Sequence, residues 1–542
     1  MKINKSSIFF IIYSLLFIVL FTNSIFAENK KTSMEQNMDW KNKWYVNTIW
    51  YQIFPDRFYN GDKESDPTET ETYTKEGELE KIILSNWFDD QPNWKSKYGG
   101  DLIGIDQKLD YISDLGISGI WLNPIFKATS NHKYNTADYA KVDPAFGDRK
   151  ILAKLVKDLH EKNIKIILDG VFNHTGYEFW AFQDIVQKGE KSNYKDWYYI
   201  KSYPIFKLWE QDKDHPANYE CWWGVNTLPQ LNMDNEATRK YIIEVCKGWM
   251  RLGIDGWRLD VPNEVKNKNF WKEWSQAIAE SNPEAYTTGE IWDNPKDWIG
   301  ENGVFTAVMN YHGFRVPVML YFTGEKIKLS EFDKMLKERR DEFPHSVNCG
   351  LQNLLSSHDT ARILSAIKNK DKDDHDKEKA NYDKGPASSE DIAKYKTIIA
   401  FQMTYVGSPM IYYGDEIGMT GGKDPDCRRP MKWDEKDQNL DILNHYKKLI
   451  KIRNENKEFR TGEFNTLYIS DKNNVYAYER TEGEESSIVV LNYSPKSHSA
   501  TIKNVDGKYT DLMNGSKVES KGNKLNVKIE PYGQLVLKKE KN

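Results

Sequence analysis

An arginine and a carboxylate two residues apart, Arg258 and Asp260, close the apolar run Ile254–Leu259, and another carboxylate, Glu290, closes the next such run, Ala285–Gly289. Residues two apart on a strand project to the same side, so the spacing predicts that Arg258 and Asp260 share one face. The interval from Asp260 to Glu290 is about one strand–helix unit, which predicts neighbouring parallel strands that end on these carboxyls. A pair of carboxyls so placed is what acid-assisted glycoside hydrolysis requires. Two further runs end the same way, one on Asp169-Gly-Val-Phe-Asn-His174 and one on His358-Asp359. Any one of these could be a structural ion pair. Four at the carboxyl ends of parallel strands point to a reaction centre.

The elements that must position these residues are eight strand-like runs: Thr48–Phe54, Gly119–Asn123, Ile164–Leu168, Ile254–Leu259, Ala285–Gly289, Ala307–Asn310, Asn353–Leu355 and Pro409–Tyr412. Between them lie amphipathic helical patterns such as Asp148–Lys162 and Ala237–Leu252, with apolar residues three and four apart. Alternating β and α elements of this number predict an α/β fold, a (β/α)8 TIM barrel over residues 44–455. The stretch from Thr175 to about Leu228 is too long for one helix and holds Trp180, Trp197, Trp209, Trp222 and Trp223. An inserted domain after strand 3, on the face where barrel active sites are built, is the expectation. Past the helical pattern Asp441–Asn454 the texture changes to short alternating segments, Asn474–Arg480, Ser487–Tyr493, Lys524–Ile529 and Gln534–Leu537. They predict a C-terminal antiparallel β-sandwich over residues 456–542.

Composition narrows the partners. The net charge of −5 is spread through the chain without a basic patch, which excludes nucleic acid and suits a neutral polymer. The 18 Trp and 31 Tyr supply flat faces able to pack on sugar rings, although core packing claims most of them. Lys2 and Lys5 precede the apolar run Ile8–Phe21, and a short polar segment ends at Ala27, so residues 1–27 read as an export signal. The run is too short for a comfortable membrane span, and the expectation is a secreted, extracellular protein with no stable membrane insertion, beginning with a polar segment, 28–43. The 4 Cys show no metal-ligand spacing, and both disulfides and free buried thiols fit them.

Longer motifs carry a resemblance. Tyr51-Gln-Ile-Phe-Pro-Asp-Arg-Phe58, Gly119-Ile-Trp-Leu-Asn-Pro-Ile-Phe126, His132-Lys-Tyr-Asn-Thr-Ala-Asp-Tyr139, Leu228-Pro-Gln-Leu-Asn232 and Asp424-Pro-Asp-Cys-Arg-Arg-Pro430, with the four strand ends, resemble the signature regions of the α-amylase family of glycoside hydrolases. The nearest flavour is the neopullulanase, cyclomaltodextrinase and maltogenic amylase group with its secreted α-amylase relatives. The resemblance implies that Asp260 is the nucleophile, Glu290 the general acid/base and Asp359 the stabiliser of the distorted sugar. An ionised Asp260 would be favoured by Arg258, and a protonated Glu290 by burial and nearby negative charge. It implies that His174 and His358 hydrogen-bond the sugar at the cleavage subsite, that Tyr134 stacks on it, and that Asp424 and Arg428 hold its neighbour. Asn263 and Glu264 resemble acceptor-side contacts, with Pro262 where the group often has Ala.

A calcium site is implied as well, built from Asn60, Asp62, Asp66, Asp101 and the carbonyl of Gly99, with Ser65 where relatives often carry an Asn ligand. Intracellular cyclomaltodextrinases of the group carry an extra domain before the barrel. The short interval from Ala27 to the first strand run therefore implies a monomer with an open cleft, acting on starch and related α-glucans. Pullulan, cyclodextrin and sugar-to-sugar transfer remain as alternatives.

Overall fold

The computed structural model describes residues 40–541 except 83, 89, 90, 302, 371–382 and 384. The expected export signal and most of the polar segment after it lie outside the described residues. Among the described residues, no helix is long and apolar enough to cross a membrane.

Eight strands, β1 (Trp50–Ile53), β2 (Gly119–Leu122), β3 (Lys165–Gly170), β4 (Gly256–Leu259), β5 (Tyr286–Gly289), β6 (Ala307–Val308), β7 (Gln352–Leu354) and β8 (Ser408–Tyr412), form one parallel sheet. Their order is β6-β5-β4-β3-β2-β1-β8-β7. A parallel bridge between Met309 and Gln352 joins the two ends, so the sheet closes into a barrel in chain order. Strands covered on both faces must be apolar almost throughout, and all residues of β1, β2, β4 and β5 are buried. The exceptions inside the barrel are polar: Gln52, Arg258, Thr288 and Gln352 are each 0% exposed. These break the apolar rule, Thr288 and Gln352 by hydrogen-bonding each other.

Register sets the site. Asp169 on β3 pairs with Arg258 on β4, and Arg258 pairs with Thr288 on β5. The ladder runs one step past the strands, since Asp260 N–H donates to Gly170 O (3.1 Å) and Glu290 N–H to Leu259 O (2.9 Å). Asp169, Arg258, Asp260 and Glu290 are thus fixed by backbone pairing before any side chain is considered.

The covering helices follow the pattern read from sequence. Helix α1 (Arg149–Glu161) buries Leu152, Leu155, Val156 and Leu159 and leads into β3. The Asp148 carboxylate caps it, accepting from the N–H groups of Lys150 (2.8 Å) and Ile151 (2.9 Å). Within the insertion after β3, helix α2 (Trp180–Lys188) and short antiparallel bridges such as Tyr198–Leu231 and Ile200–Tyr219 make a compact unit. Trp180, Tyr194, Trp197 and Tyr241 pack edge to face there. Those tryptophans are packing.

The C-terminal unit has more strands than the pattern predicted. Strands β9 (Glu463–Ser470), β10 (Val475–Glu482), β11 (Glu485–Asn492), β12 (His498–Lys503), β13 (Lys508–Asp511), β14 (Lys517–Glu519), β15 (Lys524–Ile529) and β16 (Gln534–Lys539) form a six-stranded antiparallel sheet, β9-β10-β11-β16-β13-β14, and a pair, β12-β15. Val475, Ile488, Val490, Ile502, Leu525, Val527 and Leu537 fill the space between the sheets. Tyr493 ties the unit to the barrel domain through a hydrogen bond to Phe322 O (2.5 Å). All four cysteines, Cys221, Cys246, Cys349 and Cys427, are free thiols, which resolves the alternative left open by their spacing.

Asp148→Ala is expected to cost about 1 kcal/mol, because two helix-start N–H groups lose their acceptor. Denaturant unfolding measures this, and an unchanged transition would contradict the capping role.

Candidate active site

Arg258 is fully buried at the carboxyl end of the barrel with three carboxylates around it. Its Nη1 donates to Asp169 Oδ1 (3.0 Å) and to Asp260 Oδ1 (3.0 Å). Its Nη2 lies 2.7 Å from Glu290 Oε2, a charge contact without hydrogen-bond alignment. The guanidinium also lies 4.9 Å from the centre of the Trp121 ring. One cation therefore holds Asp260 and Glu290 on neighbouring nitrogens and Asp169 behind them.

Glu290 is oriented by two donors, Trp292 Nε1 (3.1 Å) and Val261 N–H (3.3 Å). Val261 has φ +33, an uncommon conformation for a β-branched residue, directly after Asp260. Strain of this kind persists only where surrounding bonds enforce it, and here the contact to Glu290 is one of them.

Tyr134 and His358 link the carboxylates to the far wall. The Tyr134 hydroxyl donates to Asp169 Oδ2 (2.9 Å) and accepts from Asn123 Nδ2 (3.0 Å). His358 Nε2 lies 2.7 Å from the same hydroxyl, and Nδ1 lies 3.0 Å from Gln52 Nε2. With Nδ1 accepting from Gln52, the proton sits on Nε2 and completes a chain His358 to Tyr134 to Asp169. Burial pushes the His358 pKa well below its usual value, so the ring is neutral. The Tyr134 and His358 rings are stacked 5.3 Å apart.

Across the cleft, Arg428 holds the remaining acidic group. Its Nη2 is 3.3 Å from Asp359 Oδ1, its Nη1 is 3.1 Å from Asp424 Oδ1, and its Nε donates to His358 O (2.8 Å). Asp359, with 30% of its side chain exposed, is more open than Asp169, Asp260 or Glu290. His174 is buried, with Nδ1 3.3 Å from Asn173 Nδ2 and no protein partner for Nε2. Burial lowers its pKa to about 3, leaving a neutral ring with a free polar edge. Asn263 is exposed on the turn after Asp260, whereas both carboxylate oxygens of Glu264 accept from indole N–H groups, those of Trp222 and Trp223.

The electrostatics depart from the sequence expectation at one point. Arg258 does favour the ionised form of Asp260, but burial outweighs it, and the charges of Glu290 and Asp169 add to the rise, so the Asp260 pKa stands well above the usual carboxylate range. Burial also raises Asp359 to about 7, with Glu290 adding to the rise and Arg428 opposing it. Asp169 is raised to about 6 by burial, against the pull of Arg258. Crowded carboxyls sharing too little positive charge retain protons near neutrality.

The residues expected to bind calcium lie beside β1, and they divide. Asn60 Nδ2 donates to Asp66 Oδ1 (2.7 Å), while Asn60 Oδ1 is buried without a partner. Turning that amide over would face oxygen to carboxylate, an arrangement stable only with a cation between them. Gly99 has φ +78, and a Cβ there would lie 2.3 Å from Asp66 Oδ1, so only glycine lets the backbone approach. Asn60, Asp66 and Gly99 therefore fit a hard cation. Asp101 is committed elsewhere, accepting from Gly61, Asp62 and Gly104 N–H, and Asp62 caps Glu64 N–H. Ser65 donates to Asp62 O. Among the described residues, no three His, Cys, Asp or Glu side chains are grouped to hold a metal.

Asp169 was marked in sequence as a strand end but given no role, and Gln52, Trp121, Asn123 and Trp292 were not singled out, although the first three sit in motifs quoted above and Trp292 lies two residues past Glu290. A polar residue inside an otherwise apolar barrel strand, as at Gln52, was the available signal.

Comparison with known proteins agrees with this geometry. The family model "Alpha amylase, catalytic domain" matches residues 52–462, and "Maltogenic Amylase, C-terminal domain" matches 464–536. Neopullulanase 2 of Thermoactinomyces vulgaris is 39% identical over 500 residues, 91% of this chain and 78% of the relative. A cyclomaltodextrinase of Geobacillus thermopakistaniensis is 39% identical over 493 residues, 90% of this chain and 76% of the relative. The structure of the type III pullulan hydrolase from Thermococcus kodakarensis superposes with a TM-score of 0.79 at 32% identity, covering 92% of this chain and 82% of that one. The chain belongs to the α-amylase family of glycoside hydrolases. Within it, the matches are to the neopullulanase, cyclomaltodextrinase and maltogenic amylase type.

A raised carboxyl pKa means that the folded state binds more protons than the unfolded one, so stability falls as pH rises between the two values. For Asp169 that window runs from about pH 4 to about pH 6. Asp169→Asn removes the effect, and the melting temperature of wild type minus variant is expected to fall across the window. A difference that rises instead would mean that Arg258 keeps Asp169 ionised.

Proposed function

We propose that the protein hydrolyses α-1,4-glucosidic bonds of α-glucans with retention of configuration. Asp260 is the nucleophile, Glu290 the general acid/base and Asp359 the group that stabilises the oxocarbenium-like transition state. The observation that carries this reading is the clamp of Asp260 and Glu290 on one guanidinium. Two carboxyls so held suit the roughly 5–5.5 Å spacing of retaining enzymes better than the roughly 6.5–9.5 Å that admits a water between them. Asp260, losing its share of the cluster's proton as substrate binds, attacks the anomeric carbon. Glu290, steadied by Trp292 and Val261, gives its proton to the leaving oxygen and then takes one from water. Asp359 lies on Arg428 on the opposite wall, in the open part of the cleft. His174 offers the unpartnered Nε2 of a neutral ring to a sugar hydroxyl, His358 reaches one only by giving up its bond to Tyr134, and Tyr134 offers a ring face.

Asp260→Asn is expected to lower kcat by several orders of magnitude with folding intact, since no glycosyl-enzyme ester can form. Residual activity above about a tenth of wild type, in a protein free of deamidation, would contradict the assignment.

The substrate range belongs to this proposal. Starch and maltodextrin are the expected substrates, with pullulan cut at α-1,4 bonds to give panose. A specific observation favours a second reading: the relative described as a cyclomaltodextrinase matches as well as the neopullulanase, at the same 39% identity. kcat/KM on starch, pullulan and cyclodextrin separates the two, because specificity is a ratio of transition-state stabilisation. Faster attack on cyclodextrin than on starch establishes the second reading. Maltotriose from pullulan would overturn the α-1,4 assignment.

We also propose that the protein is exported, on the charged start and apolar run of residues 1–27, and that it carries a structural calcium ion. Asn60, Asp66 and the Gly99 carbonyl would supply oxygen ligands, with Asp62, Ser65 and Asp101 shaping the turn. A cation bound only by the folded state stabilises it, so chelation is expected to lower the melting temperature and added calcium to restore it. An unchanged midpoint after complete metal removal would exclude the ion.

A further inference from the structure

Trp222 and Trp223 differ from the other tryptophans of the insertion. Trp223 is 79% exposed and has φ +47, a left-handed conformation uncommon for a large side chain. Its ring lies 5.1 Å from that of Trp222 at an interplanar angle of 17°. Trp222 in turn stacks on His174, 5.3 Å away at 26°, so the pair continues from the end of β3. Both indole N–H groups donate to one carboxylate, Trp222 to Glu264 Oε2 and Trp223 to Glu264 Oε1 (3.0 Å). Glu264 stands on the turn that begins at Asp260.

A buried tryptophan needs no explanation, but a strained and exposed one held by a carboxylate does. Stacking on Trp222 covers one face of Trp223 and leaves the other to solvent. A flat apolar face beside a sugar-cleaving centre suits the apolar face of a pyranose ring. Each oxygen of the Glu264 carboxylate accepts one indole N–H, so the carboxylate and the tryptophan pair fix one another's orientation.

We propose that Trp223 is a sugar-stacking platform for a glucose unit beyond the one being cut, and that Glu264 is a positioning residue that holds the Trp222–Trp223 pair. The inference rests on the α-glucan reading above. It assigns to Glu264 an indirect role in place of the direct acceptor-side contact that the family resemblance implied.

The test compares kcat/KM on maltohexaose with that on α-glucosyl fluoride, whose leaving group carries no ring to stack. Trp223→Gly relieves the positive φ, so its melting temperature should hold or rise. Its loss on maltohexaose is expected to exceed its loss on the glucosyl fluoride by about five- to tenfold. Trp223→Phe should recover most of that difference. Glu264→Ala should reproduce the split, and Glu264→Ala/Trp223→Gly should be no worse than either single variant, as expected of groups that act as one unit. Equal losses on both substrates would overturn the platform. Additive losses in the double variant would overturn the positioning role and make Glu264 an independent contact. Absence of wild-type turnover on any α-glucan would instead overturn the functional reading, and this inference with it.

Discussion

A single buried guanidinium, Arg258, sets the charge balance of this molecule's cleft. Removing it from water is costly, and the cost is offset only because Asp169, Asp260 and Glu290 surround it. The Trp121 ring adds a favourable face. Those carboxylates outnumber the cation, so the cluster is short of positive charge and holds on to protons. The raised positions of Asp260 and Asp169 are consequences of that imbalance. One group's ionisation there suppresses its neighbour's.

The barrel supplies the rigidity this arrangement needs. Asp169 and Arg258 are register partners, and the backbone pairing of Asp260 and Glu290 extends the same ladder. The far wall is tied in through a separate route, Gln52 to His358 to Tyr134, and Arg428 then couples the His358 carbonyl to Asp359 and Asp424. Two arginines thus gather carboxylates from different segments, Asp169, Asp260 and Glu290 on Arg258, and Asp359 and Asp424 on Arg428. Val261 and Trp223 both hold positive φ, so local backbone stability is given up for shape beside Asp260 and at the exposed indole stack.

Much of this was legible in the sequence because closed parallel barrels write plainly. Each of the eight apolar runs became a strand, and helices α1 and Glu236–Met250 fell where three- and four-residue spacing put them. The catalytic candidates were readable as polar residues interrupting that pattern at strand ends. What could not be read was anything settled by contacts distant in sequence. Glu264 looked like a sugar contact, and only the fold brought Trp222 and Trp223 onto its carboxylate. Strand β9 has half-buried residues along most of its length and shows no clean alternation, and β14 is only three residues long, too short for its alternation to stand out. The effect of burial on Asp260 was likewise invisible, because spacing revealed its cation partner but not the depth of both groups.

The central claim is that Arg258 holds Asp260 and Glu290 in retaining geometry. The most direct measurement is the anomeric configuration of the first-formed product, followed by proton NMR on a maltodextrin before mutarotation. The account predicts the α-anomer at the new reducing end, from two successive inversions through a glycosyl-enzyme. Initial accumulation of the β-anomer would mean a single displacement by water, and would contradict both the nucleophile and the clamp that positions it.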